Sequence, residues 1–277
     1  MTDTKIIISG DIIEVFCFQN PLFYNFKVKG VREKLHVDDI GEEQLKLRRQ
    51  DSRKRSMQRA KPRFTRLVYA NAGQWEQSSH IPFPPVFITF TFAENLTDPA
   101  QANKILSLFK KRLDFQLMKS RKSMLKYIAV TEFQGRGAVH FHCLFFNLPI
   151  GLAEEERGTR RIAEIWGHGF IDVKDASDVD GMVRYLTKYM VKGFEDPRLD
   201  GKKRYFGSRG LIKPVVVKHE ALAQKIYQKL KDNEKIYERV FESDYHGITM
   251  YQKFKVSKDH NVILNLLFIK STIADTP

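Results

Sequence analysis

One stretch limits what this chain can fold into more than any other. It is Tyr127-Ile-Ala-Val-Thr-Glu-Phe133, a short Gly135-Arg136-Gly137 connection, and Ala138-Val-His-Phe-His-Cys-Leu-Phe-Phe146. Two runs rich in β-branched and aromatic residues around a glycine-bracketed loop read as an antiparallel hairpin. Alternate side chains on a strand share a face, so His140 and His142 project to one side. Val139, Phe141, Cys143 and Phe145 project to the other, where helices can cover them. The loop pairs Gln134 with Ala138 and thereby sets Glu132 opposite His140. Directly opposed residues have Cβ atoms about 4.5–5.5 Å apart. One carboxylate and two imidazoles therefore converge, a facial ligand set for a divalent metal that leaves positions open for substrate oxygens. The geometry depends on register: a slip of one residue would take Glu132 off that face. An isolated His-x-His reads more simply as two surface histidines; the flanking apolar alternation and the matching glutamate favour the metal.

The elements around the hairpin supply its fold. Val86-Phe-Ile-Thr-Phe-Thr-Phe92 reads as a buried strand. Asp98-Pro99 starts a helix, with Asp as N-cap, Pro at the first helical position and Gln101 completing a capping box. Ile105, Leu106, Phe109 and Leu113 form its apolar stripe. A second helix is expected over 153–166, a strand over 169–173 and a third helix over 179–192. The order is β-α-β-β-α-β-α, whose first six elements are the ferredoxin-like split βαβ arrangement. The fold class is α+β: a ferredoxin-like, RRM-like antiparallel sheet with helices on one face and the metal and tyrosine site on the open face. N- and C-terminal extensions flank it. The divisions fall at 1–45, a β-rich accessory segment; 46–82, a basic segment; 83–195, the central domain; and 196–277, a C-terminal extension. Strands are expected at 5–9, 11–17, 23–28, 248–255 and 262–268, and a helix at 220–233.

Charge points to the partner. The chain carries 47 Lys and Arg against 33 Asp and Glu, a formal net charge of +14. Residues 46–66 hold ten of those cations and a single acid, Asp51. Such a run forms few intrahelical ion pairs, and its self-repulsion favours a polyanion. Arg48, Arg49, Arg53, Lys54, Arg55 and Arg59 are the expected phosphate contacts. Arg136 in the hairpin loop, and Arg204 and Arg209 in the segment Arg204-Tyr-Phe-Gly-Ser-Arg-Gly210, join them. A solvated helix is the ordinary reading of such a run. Two cysteines, Cys17 and Cys143, exclude a disulfide scaffold and a cysteine zinc cluster. No apolar run is long enough to span a bilayer and no secretory signal is visible at Met1, so a cytoplasmic protein with no membrane partner is expected.

Tyr185-Leu-Thr-Lys-Tyr-Met-Val-Lys192 lies on the third expected helix. Tyr185 and Tyr189 are four apart and so share a face. Lys188 and Lys192 each follow a tyrosine by three. A phenol is a weak nucleophile with an ordinary pKa near ~10; an ammonium beside it favours the phenolate and can hold a phosphate oxygen. The structural alternative is a core helix in which Met182, Tyr185, Leu186 and Tyr189 only pack.

Together these residues resemble the HUH endonucleases, specifically two-tyrosine rolling-circle replication initiators of small single-stranded-DNA phages and plasmids. Phe87-Ile-Thr-Phe-Thr-Phe92 is similar to the family's first motif. Glu132 with His140–Phe146 is similar to the metal motif, and Tyr185–Lys192 to the tyrosine motif. The resemblance covers roughly residues 64–215. Trp166-Gly-His-Gly-Phe170 and Ser208-Arg-Gly-Leu-Ile-Lys-Pro214 also resemble segments of phage-type members, with no chemistry attached to them. The resemblance implies Mg²⁺ or Mn²⁺ at Glu132, His140 and His142. It implies attack by Tyr185 or Tyr189 on single-stranded origin DNA, hairpin forms included, leaving a 5′-phosphotyrosyl link and a free 3′-hydroxyl. Tyr185 is the expected first nucleophile. The sequence has no G-x-x-x-x-G-K-[ST] motif, so a host helicase is expected as a partner alongside a host DNA polymerase. Three alternatives stay open. They are a single-strand transposase or mobilisation relaxase of the same superfamily, a two-His-one-carboxylate iron or zinc enzyme, and a non-catalytic nucleic-acid-binding module.

Overall fold

The computed structural model describes residues 3–20, 41–76, 82–119, 121–149, 156–200, 202–230, 233–243 and 246–256. In chain order the elements are β1 (Asp3–Ser9), β2 (Ile12–Phe18), α1 (Glu42–Tyr69), β3 (Val86–Thr91), α2 (Pro99–Met118), β4 (Tyr127–Phe133), β5 (Val139–Phe145) and α3 (Glu156–Trp166). They continue as β6 (Ile171–Asp175), α4 (Val179–Glu195), β7 (Tyr205–Gly207), β8 (Val215–Val217), α5 (Glu220–Leu230), β9 (Glu234–Ser243) and β10 (Gly247–Lys255). The class is α+β, as expected. The strands expected at 23–28 and 262–268, and the start of the helix expected from 153, lie outside the described residues.

The chain divides into two units. One, Gly41–Ile212, carries a five-stranded antiparallel sheet in the order β6-β3-β5-β4-β7. Counted from β3, its first four strands stand in the order 4-1-3-2, the ferredoxin-like topology, with β7 added at the β4 edge. Asp98 caps α2 by accepting from the Ala100 and Gln101 amides at 2.9 and 3.3 Å. Gly167, at φ 65°, turns the chain away after α3, a conformation that costs glycine little. Ala102, Leu106, Phe109 and Leu113 of α2 and Ile162, Ile165 and Trp166 of α3 pack on one face of the sheet. They meet Val86, Ile88 and Phe90 of β3 and Val139, Phe141, Cys143 and Phe145 of β5. The alternation read from the sequence is what splits β5 between this core and the opposite face.

That opposite face is not open. α4 packs on β4, and α1 packs on α4. Phe87, Ile128, Val130 and Leu144 are buried beneath them. Phe64, Val68 and Tyr69, near the end of α1, are buried as well, while residues 41–55 are exposed apart from Leu45 and Arg53. The basic run is therefore the free, N-terminal part of a long helix anchored only by its last turns.

The other unit joins the two chain ends. β8-β1-β2-β10-β9 form a second antiparallel five-stranded sheet, with α5 on one face. Leu222, Ala223, Ile226 and Leu230 of α5 pack on Ile6, Ile8, Ile13 and Val15. The expected N- and C-terminal extensions are thus parts of one structure. Both cysteines are buried and free.

Candidate active site

The hairpin adopts the expected register: Glu132 pairs with His140 and Val130 with His142. On the neighbouring strand Thr91 is opposite His140 and Thr89 opposite His142. Glu132, His140 and His142 therefore share the face that α4 covers. The His142 Nε2 lies 2.7 Å from the Glu132 Oε2, and its Nδ1 lies 3.3 Å from the Thr89 Oγ1. The Lys192 ammonium donates to the other carboxylate oxygen of Glu132 at 2.8 Å. Burial alone would raise the Glu132 carboxyl. The hydrogen bonds from His142 and Lys192 together outweigh it and hold the group below its usual range.

α4 sets the tyrosines over this triad. Asp178 caps the helix by accepting from the Gly181 amide at 3.0 Å, and the four-residue spacing puts Tyr185 and Tyr189 on one face. The Tyr189 hydroxyl donates to the Tyr185 hydroxyl at 2.6 Å, so the two nucleophile candidates meet at one point. The Tyr189 ring stacks on His142 with centroids 3.7 Å apart and planes 21° from parallel. Tyr185 meets Phe87 edge-on at 5.3 Å. The Lys192 Nζ lies 5.4 Å from the Tyr189 ring centre. Its charge does not favour the phenolate as the spacing suggested. Burial, the Tyr185 hydroxyl and the carboxylates of Glu132 and Asp172 push the Tyr189 phenol well above its usual value. Lys188 is exposed and lines a groove with Lys61 and Thr65 of α1.

The same face tests whether a metal fits. Among the described residues, no three His, Cys, Asp or Glu side chains are gathered closely enough to hold a metal ion as they stand. Glu132 is occupied by His142 and Lys192. His140 differs: its Nε2 is buried with no hydrogen-bond partner. A buried polar atom left unpaired costs about 1–3 kcal/mol, a penalty that a cation there would remove. Burial first, and then His142, lower its pKa to about 4, with Glu132 opposing them, so the ring is neutral and able to ligate at physiological pH. Two neutral imidazoles and a carboxylate on one face are the right donors for Mg²⁺ or Mn²⁺, on condition that Glu132 releases Lys192.

Residues 85–194 match the family model of the replication-associated protein ORF2/gene 2 protein. No curated protein and no solved structure matches the chain. The matched segment begins one residue before β3 and ends within α4. It contains Glu132, His140, His142, Tyr185 and Tyr189, and leaves out α1, β7 and the second unit.

Basic residues outside the matched segment complete the picture. A cleft of about 1090 Å³ lies between α1 and the segment around β7. Arg49, Arg53, Lys202, Lys203 and Arg204 line it, with Ser52, Ser56, Tyr205 and a single carboxylate, Asp200. Not all its cations are free. The Arg53 Nε donates to Asp200 at 2.9 Å, and a second, shorter contact joins the same pair. Arg204 is buried; its guanidinium donates to Asp200 at 3.0 Å and to the Asp196 carbonyl at 3.3 Å. These two expected DNA contacts are thus tied into the wall, whereas Lys202 and Lys203 are exposed. The sequence reading did not single out those two lysines. Arg48, Lys54, Arg55 and Arg59 are exposed along α1. Arg136 donates to the Phe92 carbonyl at 2.6 Å and to Gln134 at 2.9 Å. Arg209 is exposed, and its main-chain carbonyl accepts from Lys126. Among the described residues no helix is long and apolar enough to cross a membrane.

Proposed function

We propose that the protein is a replication initiator that nicks and rejoins single-stranded DNA by tyrosine transesterification. The observation that carries this reading is the meeting of the Tyr185 and Tyr189 hydroxyls, 2.6 Å apart, above the face that bears Glu132, His140 and His142. A structural tyrosine pair has no need of an orphaned histidine beneath it. The match of residues 85–194 to a replication-associated family supports the same reading.

Glu132, His140 and His142 would hold Mg²⁺ or Mn²⁺, which supplies a Lewis acid for the scissile phosphate. The chain's own residues do the rest. One tyrosine oxygen attacks phosphorus; the new bond is Tyr O–P, and the bond to the DNA 3′-oxygen breaks. The phenol proton ends on the departing 3′-oxygen, giving a free hydroxyl able to prime synthesis. One phosphodiester replaces another, so no nucleotide is hydrolysed and the break can be resealed. Because the two hydroxyls occupy one point, the second tyrosine can take over the phosphate in a later transfer without movement of the helix. Tyr185 accepts the hydrogen bond from Tyr189 and is therefore the better placed first nucleophile. The cleft beside α1, with Arg49, Lys202 and Lys203, would hold the DNA backbone.

The test is incubation with single-stranded circular DNA and Mn²⁺, followed by mapping of the peptide–DNA adduct. An adduct at Tyr185 or Tyr189, lost in the doubly substituted Tyr185→Phe, Tyr189→Phe protein and in EDTA, is the expected result. An undiminished adduct in that double variant would place the nucleophile elsewhere.

A further inference from the structure

Phe170 closes the segment Trp166-Gly-His-Gly-Phe170, which the tyrosine chemistry does not use. It is 70 % exposed, the most exposed large apolar side chain among the described residues. A single exposed apolar side chain is ordinary; its support and its place are not.

The backbone beneath Phe170 is fixed. The Thr91 amide donates to the Phe170 carbonyl at 2.9 Å and the Ala93 amide to the His168 carbonyl at 2.8 Å. The Trp166 indole donates to the Thr91 carbonyl at 3.2 Å. Gly169 sits at φ 144°, and a Cβ there would lie 2.5 Å from the Ala93 nitrogen and the Thr91 oxygen. Only glycine lets the two chains approach this closely. Ile171, the next residue, points into the core beneath α2 and α3. By strand alternation Phe170 points to the opposite face, the one that carries the triad.

Its position across the sheet is specific. β6 pairs with β3 so that Ile171 is opposite Phe90, which sets Phe170 beside Thr91. Thr91 is in turn opposite His140. Phe170, Thr91, His140 and Glu132 thus form one row on one face, with Phe170 roughly 10 Å from His140 at the usual strand spacing. Arg136 reaches the same corner, with its guanidinium on the Phe92 and Ala93 carbonyls. A rigid, exposed ring and a cation beside a phosphate-reacting centre are what a nucleotide requires, one for the base and one for the backbone.

We infer that Phe170 is a base-stacking platform that positions single-stranded DNA on the triad face. The inference rests on the proposed nuclease reading. Stacking accepts any base, so Phe170 would fix where the strand lies, and leave the choice of sequence to other contacts. It also requires an unpaired base, which makes the preference for a single strand a property of this corner.

The test is binding of a fluorescently labelled thymidine oligonucleotide and of a blunt duplex, in EDTA so that no cleavage intervenes. Phe170→Ala should weaken the single strand about 5- to 150-fold, the effect of one lost base–aromatic stack, and leave the duplex unchanged. Phe170→Leu should be as weak as the alanine variant. Phe170→Trp should restore binding and show quenched indole fluorescence with the single strand. Melting temperatures should stay within about 1 °C, because the side chain contributes little packing. Wild-type affinity in Phe170→Ala or Phe170→Leu would overturn the stacking role and leave the nuclease reading intact. No binding of the single strand by the unaltered protein would overturn both.

Discussion

Lys192 and a metal ion would compete for one carboxylate, and the structure gives the size of that competition. The Lys192 ammonium donates to Glu132 at 2.8 Å, with the lysine side chain 50 % and Glu132 15 % exposed. A pair with one partner so open to water contributes about 0.2–1 kcal/mol. Lys192→Met keeps an apolar stem beside the Tyr189 ring and removes the ammonium alone. The metal-free variant should therefore lose about 0.2–1 kcal/mol, lowering its melting temperature by no more than about 4 °C. A metal entering the variant has no ammonium to displace. Mn²⁺ should consequently bind about 1.4- to 5-fold more tightly, the same free energy recovered on the ligand side. Calorimetric titration of Mn²⁺ into both proteins, with melting curves of the metal-free forms, measures the two quantities independently. Weaker Mn²⁺ binding by Lys192→Met would show that the lysine supports the metal-bound state. A lower melting temperature with unchanged Mn²⁺ affinity would show that the metal does not use Glu132.

Three further outcomes are expected. His140 is held to about 4 when folded, against about 6.5 in an unfolded chain. Between those values the unfolded state binds a proton that the folded state does not, so metal-free stability should fall as pH drops from about 6.5 towards 4. His140→Asn should flatten that part of a plot of denaturation midpoint against pH; an unchanged slope would mean that the imidazole is not shielded. Neutralising Arg49, Lys202 and Lys203 together should lower the slope of log affinity against log salt by about 0.7 per lost phosphate contact on a single strand. Arg204→Ala should instead lower stability, because it leaves Asp200 and the Asp196 carbonyl short of a donor; an equal loss of salt slope with no loss of stability would contradict its structural role. Gly169→Ala should cost about 2–4 kcal/mol, since its Cβ has no space between Thr91 and Ala93, and chemical denaturation would expose an error if the loss were under about 1 kcal/mol.

Short-range periodicity in the sequence was enough to set several parts of this protein. The His-x-His alternation and the three-residue loop fixed the β4–β5 register, and with it the placement of Glu132 opposite His140. Asp98-Pro99 marked the start of α2, and four-residue spacing put Tyr185 and Tyr189 on one face of α4. Local patterns could not reveal strands that lack them. β9 is exposed along almost its whole length, so no alternation marks it. β7 and β8 have three residues each and exist only because β4 and β1 offer them an edge. Long-range pairing joined the chain ends into one sheet, and no composition signal reports such pairing. Which charges are free was settled by packing at long range. Arg53 and Arg204 read as DNA contacts until the fold brings Asp200 to them, while Lys202 and Lys203 stay in solvent. Packing likewise made the tyrosine hydroxyls meet, brought Lys192 to Glu132 across 60 residues, and stood Phe170 in line with His140. Each of these depends on how strands and helices from distant parts of the chain come together. A sequence read in windows carries the local conformation of each element, and the choice of its neighbours is made by the burial of all of them together.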